Sequence, residues 1–131
     1  IESNRVGTHE FNGFCKAVNA DPLMCVNFQS DGFQTYRNKP EGDRSAGPEE
    51  AADWVSYCND PDHPERARNG AKAPFNWKLW QLGNETSYGK GGFTLDESIK
   101  ATVAFATAMK KRDSSLRLIG WADRGETPNG R

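Results

Sequence analysis

The chain has 131 residues, 35% hydrophobic and 27% charged, with a mean hydropathy of −0.84, which is one domain's length with a polar balance. Its formal net charge is −1, from 17 basic and 18 acidic residues. That excludes a basic field for nucleic acid or anionic lipid, and no apolar run is long enough to span a membrane.

The first predicted element is a helix. Phe11, Phe14, Cys15 and Val18 fall at i, i+3, i+4, i+7, with Thr8 as its cap. Residues 23–28, Leu-Met-Cys-Val-Asn-Phe, read as a buried strand. A polar loop over residues 29–47 follows. Gly47-Pro48 opens a second helix, with Pro at the first helical position, and Ala51, Trp54, Val55 and Cys58 form its apolar face. Residues 60–76 read as a second polar loop, and residues 77–82, Trp-Lys-Leu-Trp-Gln-Leu, as a second strand. Gly89-Lys90-Gly91-Gly92 lacks phosphate-loop spacing and reads as a flexible connection. Thr94 and Glu97 match a capping box, ahead of a stripe of Leu95, Ile99, Val103, Ala106 and Met109. Lys110-Lys111-Arg112 complements the dipole at that helix's end. Residues 116–121, Leu-Arg-Leu-Ile-Gly-Trp, form the third strand.

Helix and strand thus alternate, and each helix is expected to turn one apolar face to a sheet. This order predicts an α/β fold with parallel strands and right-handed crossovers. The loop at 29–47 follows a strand end, where such folds place their chemistry. The loop at 60–76 belongs on the opposite face. Four Trp, seven Phe and three Tyr exclude a disordered chain. Cys15, Cys25 and Cys58 have no C-x-x-C spacing and read as small buried residues. His9 and His63 read as isolated surface histidines, and no metal site is expected. Trp54 is expected in the second helix's core face. Strand alternation places one of Trp77 and Trp80 toward the inside of the sheet's curve and the other toward the helices.

The chemistry concentrates at Leu82-Gly83-Asn84-Glu85, where the second strand ends. A strand end is stiff enough to hold a carboxyl group against a substrate bond. Neighbouring aromatic surface can desolvate it toward the range of a general acid. Against this, a Glu after an Asn in a turn is ordinarily a solvated loop residue. Asn84-Glu85-Thr86 also matches a glycosylation acceptor, but a glycan there would block the cleft, and a bare Asn84 is the reading kept.

Residues 77–85, Trp-Lys-Leu-Trp-Gln-Leu-Gly-Asn-Glu, resemble the acid/base strand of the α-L-arabinofuranosidases of glycoside hydrolase family 51. Residues 49–59 resemble the helix before that strand. Gly7-Thr8-His9-Glu10-Phe11 with Phe14-Cys15 resembles an earlier helix, and residues 22–27 the strand after it. The resemblance implies a partial TIM barrel, with residues 1–131 as a fragment of the catalytic domain carrying about strands three to five of the eight. It implies a retaining hydrolase with two carboxylates about 5 Å apart. Glu85 matches the acid/base and Asn84 the adjacent substrate-binding residue. Asn27, at its own strand end, would face the same cleft. Trp121 could stack on a sugar ring or pack in the core, with equal claim.

The family's nucleophile lies on a later strand, which this chain does not reach. Asp123 and Glu126 read as loop residues rather than substitutes for it. The loop at 29–47 is longer than the family usually carries, which leaves substrate preference open. The fragment alone is expected to be inactive, to need no cofactor, and to pair with the remainder of the barrel or with itself. Its partner is a carbohydrate substrate, with neither nucleic acid nor membrane. The rivals are a xylanase- or glucanase-like barrel enzyme, a non-catalytic carbohydrate-binding domain, and an α/β interaction module.

Overall fold

A computed structural model describes residues 5–29, 46–86 and 93–121. The described elements are α1 (Thr8–Ala17), β1 (Leu23–Val26), α2 (Pro48–Asn59), α3 (Pro64–Arg68), β2 (Leu79–Leu82), α4 (Leu95–Arg112) and β3 (Arg117–Gly120). The strands form one parallel sheet in the order β1-β2-β3, as the alternation predicts. Leu23, Leu79 and Arg117 share a row, and so do Val26, Leu82 and Gly120.

The strands are four residues each, shorter than the apolar runs, because the flanking residues have other work. Trp77 donates its N–H to Asn59 Oδ1 at 2.8 Å and accepts from Asn59 Nδ2 at 2.8 Å, so α2 rather than a strand neighbour holds it. Phe28 turns into the core between Phe93 and Phe105, with ring centroids 5.0 and 4.8 Å away.

Helix ends follow local chemistry. α2 begins with Pro at its first position and two glutamates in its first turn. At α4, Thr94 Oγ1 accepts from Glu97 N at 3.4 Å while Glu97 Oε2 accepts from Thr94 N at 3.0 Å. The basic run at its end places Arg112 3.0 Å from Asp53 of α2. At α1 the expectation is corrected. Gly7, not Thr8, is the cap residue, and the Glu10 carboxylate accepts its N–H at 2.9 Å.

α2 and α4 cover one face of the sheet. Val55, Cys58, Trp80, Leu82, Phe105 and Met109 form the centre of the core, each at most 2% exposed. On α4 the predicted stripe is only partly right. Ala101, Phe105 and Met109 are buried, whereas Leu95, Ile99 and Val103 are exposed. The helix carries two apolar stripes, and Phe105, four residues from Ala101, decides which one meets the sheet. On α1, likewise, Cys15 is buried while Phe14 and Val18 are exposed. Trp77 and Trp80 are both buried on the helix side, 6.0 Å apart, because Trp77 precedes the strand and escapes its alternation. Trp54 is half-buried, edge-on to Trp80 at 5.4 Å.

The expected loop at 60–76 contains α3, whose Arg66 is fully buried. Its guanidinium donates to five backbone carbonyls: Tyr57 (2.8 Å), Asp60 (2.6 Å), Pro61 (2.9 Å), Ala71 (3.2 Å) and Lys72 (3.1 Å). Neither histidine is an isolated surface residue. His63 caps α3, its Nδ1 accepting from Arg66 N at 3.4 Å, and His9 Nε2 lies 2.6 Å from the Tyr57 hydroxyl. Cys15 and Cys58 are buried, and burial pushes the Cys58 thiol up to about 12 against the opposing charge of Arg66. Cys25 is exposed instead, because its side chain lies on the sheet face that no described helix covers. Among the described residues, no helix is long and apolar enough to cross a membrane.

Candidate active site

The carboxyl ends of three parallel strands lie along one edge of the sheet. The shared row of Val26, Leu82 and Gly120 is followed by Asn27, Gly83 and Trp121, so these three stand at one level at the strand ends. Trp80 and Leu82 face the helices, so alternation puts Leu79 and Gln81 on the opposite, uncovered face. Asn27, Asn84 and Glu85 are exposed and Trp121 is half-buried.

Beyond β2 the backbone turns sharply. Gly83 has φ +71°, and a Cβ there would lie 2.6 Å from Thr86 Cγ2 and 2.7 Å from Phe28 Cβ. Only glycine satisfies both the left-handed backbone and the close approach. Thr86 is 1% exposed, and its carbonyl accepts from Phe93 N at 2.8 Å. The turn is therefore clamped between Phe28 and the segment entering α4. Within it Glu85 adopts φ +51°, a conformation unfavourable for a side-chain-bearing residue. Such backbone persists where the surroundings over-determine it, and it concentrates at functional sites. The effect is to carry Glu85 past the strand end while its neighbours stay anchored.

Gln81 and Gly83 were not singled out by the sequence. Gln81 Nε2 donates to the Gly83 carbonyl at 2.9 Å and to Asn84 Oδ1 at 3.4 Å. The sequence signal for Gly83 was its place between an apolar run and the Asn-Glu pair. For Gln81 it was a polar side chain between Trp80 and Leu82 in that run. Asp123, Glu126, the Gly-rich segment 89–92 and nearly all of the 29–47 loop lie outside the described residues. No group of three or more His, Cys, Asp or Glu able to hold a metal occurs among the described residues. A separate apolar cavity of about 460 Å³, lined by Val6, Phe11, Met24 and Trp54 among others, opens on the helix side of β1 and not at the strand ends.

Parallel strands whose helices cover one face, with a carboxyl and an amide raised at their carboxyl ends, fit part of a (β/α) barrel. The chain matches the family model described as "Alpha-L-arabinofuranosidase 1 domain" over residues 1–131, and it belongs to that family. It is 34% identical over 125 residues to the intracellular exo-alpha-(1->5)-L-arabinofuranosidase of Acetivibrio thermocellus, covering 91% of this chain and 22% of that protein. It is 33% identical to alpha-L-arabinofuranosidase C of Emericella nidulans, covering 96% of this chain and 23% of that one. Among solved structures, the alpha-L-arabinofuranosidase of Thermotoga maritima in complex with arabinose aligns with a TM-score of 0.74 at 29% identity, over 91% of this chain and 23% of that one. A family 51 enzyme from Bifidobacterium longum shares the fold at a TM-score of 0.77 and 23% identity, over 98% and 24% of the two chains. The chain thus spans about a fifth of the length of the relatives it matches.

Proposed function

We propose that this chain supplies the acid/base strand of a retaining α-L-arabinofuranosidase, with about strands three to five of the eight-stranded barrel. The observation that carries the reading is the exposed Asn84-Glu85 pair at the carboxyl end of the central strand β2, in a chain of the arabinofuranosidase family. In the complete protein the Glu85 carboxyl protonates the glycosidic oxygen as the bond to the anomeric carbon breaks. The same group, now a carboxylate, then takes a proton from the water that releases the sugar. The nucleophile is a second carboxylate about 5 Å away, supplied by a later strand. Asn84 gives its amide to a sugar hydroxyl, with Asn27 and Trp121 bordering the same cleft.

The test is Glu85→Gln in the longer protein that carries this segment. On an aryl arabinofuranoside whose leaving group needs protonation, kcat/KM should fall by about 10²–10⁴. With a dinitrophenolate leaving group, which departs without a proton, the glycosylation step should fall far less. An equal loss on both substrates would remove Glu85 from the acid role. Undiminished hydrolysis would remove it from the site. The 131-residue chain by itself should be inactive, because the covalent step needs the absent nucleophile.

A further inference from the structure

We infer that Gln81 is a positioning residue for Glu85, holding the peptide plane after Gly83 on which the aim of the carboxyl depends. The inference rests on the reading of Glu85 as the acid/base. Gly83 makes the turn possible and also leaves it open to error. With φ +71° it meets the close approach of Thr86 Cγ2 and Phe28 Cβ. The freedom that admits this backbone also lets the following peptide plane turn over, because glycine has no Cβ to oppose the rotation. Such a turn would reverse the Gly83 carbonyl and redirect the chain that leads to Glu85. The contacts with Thr86 Cγ2 and Phe28 Cβ are between apolar carbons. They fix where the Gly83 Cα lies, not which way its carbonyl points. Gln81 supplies that direction. It lies on the uncovered face of β2, level with Cys25 and Ile119 of the neighbouring strands. Its Nε2 donates to the Gly83 carbonyl at 2.9 Å. A main-chain carbonyl can only accept, so the nitrogen end of the Gln81 amide is fixed against it. The N–H of the same glycine lies beside the Cys25 thiol, which burial pushes up and this N–H pushes down. Both polar ends of Gly83 thus meet side chains from one row of the sheet. The longer contact of Gln81 with Asn84 Oδ1, at 3.4 Å, is not needed for this hold.

Gln81 touches no reacting atom and acts through the main chain of the turn. Its loss should therefore show in the step that uses the acid and spare the one that does not. Gln81→Met keeps the length and removes the donor. Gln81→Glu sets an acceptor against the carbonyl and should do worse. In the longer protein that carries this segment, Gln81→Met should lower kcat/KM about tenfold on an aryl α-L-arabinofuranoside whose leaving group needs a proton, the worth of roughly one hydrogen bond. On the dinitrophenyl arabinofuranoside, whose leaving group departs unprotonated, kcat/KM should fall far less. Added to Glu85→Gln, Gln81→Met should cost nothing further on the first substrate. Its thermal midpoint should stay close to that of the parent. Equal losses on the two substrates, or a loss that adds in full to that of Glu85→Gln, would make Gln81 a structural residue only. An undiminished Gln81→Met beside a damaged Glu85→Gln would mean that the peptide holds its direction without Gln81. Each of these overturns the positioning role and leaves the site in place. An undiminished Glu85→Gln would overturn the acid/base reading itself.

Discussion

Gly83 and Glu85 are two left-handed residues in one turn, and they should respond oppositely to substitution. Gly83→Ala meets Thr86 and Phe28 at under 3 Å and keeps a positive φ, so it should destabilise by at least about 2 kcal/mol. Glu85→Gly relieves the positive φ of an exposed residue. It should be neutral or stabilising by up to about 1 kcal/mol, after the extra chain entropy of glycine. Denaturant midpoints of the two variants check this, and a destabilised Glu85→Gly would mean the turn is not strained at that residue. At this scale the sequence made Asn84 and Glu85 visible, because two polar residues end an apolar run. Gln81 stayed hidden because its hydrogen bonds to Gly83 and Asn84 depend on how the turn after the strand places those two residues. Cys25 was misjudged because burial depends on what covers a sheet face, which the local sequence does not record.

The elements are joined by a polar hub at Asp113. Its carboxylate receives the Lys78 ammonium at 2.7 Å and Asn59 Nδ2 at 2.8 Å, while its other oxygen receives Ser115 N at 2.9 Å. Partial burial alone would raise this carboxyl, but Lys78, Ser115 and Asn59 together outweigh it and hold the group well below the usual carboxylate range. A depressed folded value means the stabilisation is present above about pH 4 and is lost as the pH falls below it. Asp113→Asn should therefore lose about 2 kcal/mol at neutral pH and flatten the acid side of the stability profile. Lys78 is 42% exposed, so the ion pair gives the smaller part. Melting curves between pH 2 and 7 test it, and parallel profiles for the two proteins would contradict the assignment. The order of elements was legible, since the α2 face, the Thr94 box and the opening Pro48 all matched. α3 was not, because five residues are too few to show a period. On α4 the two apolar stripes compete, and only the packing of Phe105 on Phe28 chooses between them.

At the scale of the whole molecule, the described residues form a three-stranded sheet with β1 and β3 at its edges and apolar side chains left in the open. Leu23 and Ile119 on the strands, and Leu95, Ile99 and Val103 on α4, are all exposed. Unpaired strand edges beside apolar surface favour association. The isolated chain should sediment as oligomers, and a Leu23→Lys, Ile119→Lys double variant should shift it toward monomer. A monomeric parent would refute this. The parallel α/β class followed from the alternation of elements, but the barrel came from the family resemblance, since three strands do not close. At the amino ends of the strands, Arg66 brings a different kind of strength. Its guanidinium is neutralised by carbonyl dipoles drawn from residues 57 to 72 and by no carboxylate among the described partners. Among the described partners, that lodging offers no counter-ion for protons to discharge. Two fasteners of unlike chemistry thus hold the chain. Acid loosens the one at Asp113 and leaves the one at Arg66 shut, so acidification should undo the α4 corner first and the α2–α3 corner last.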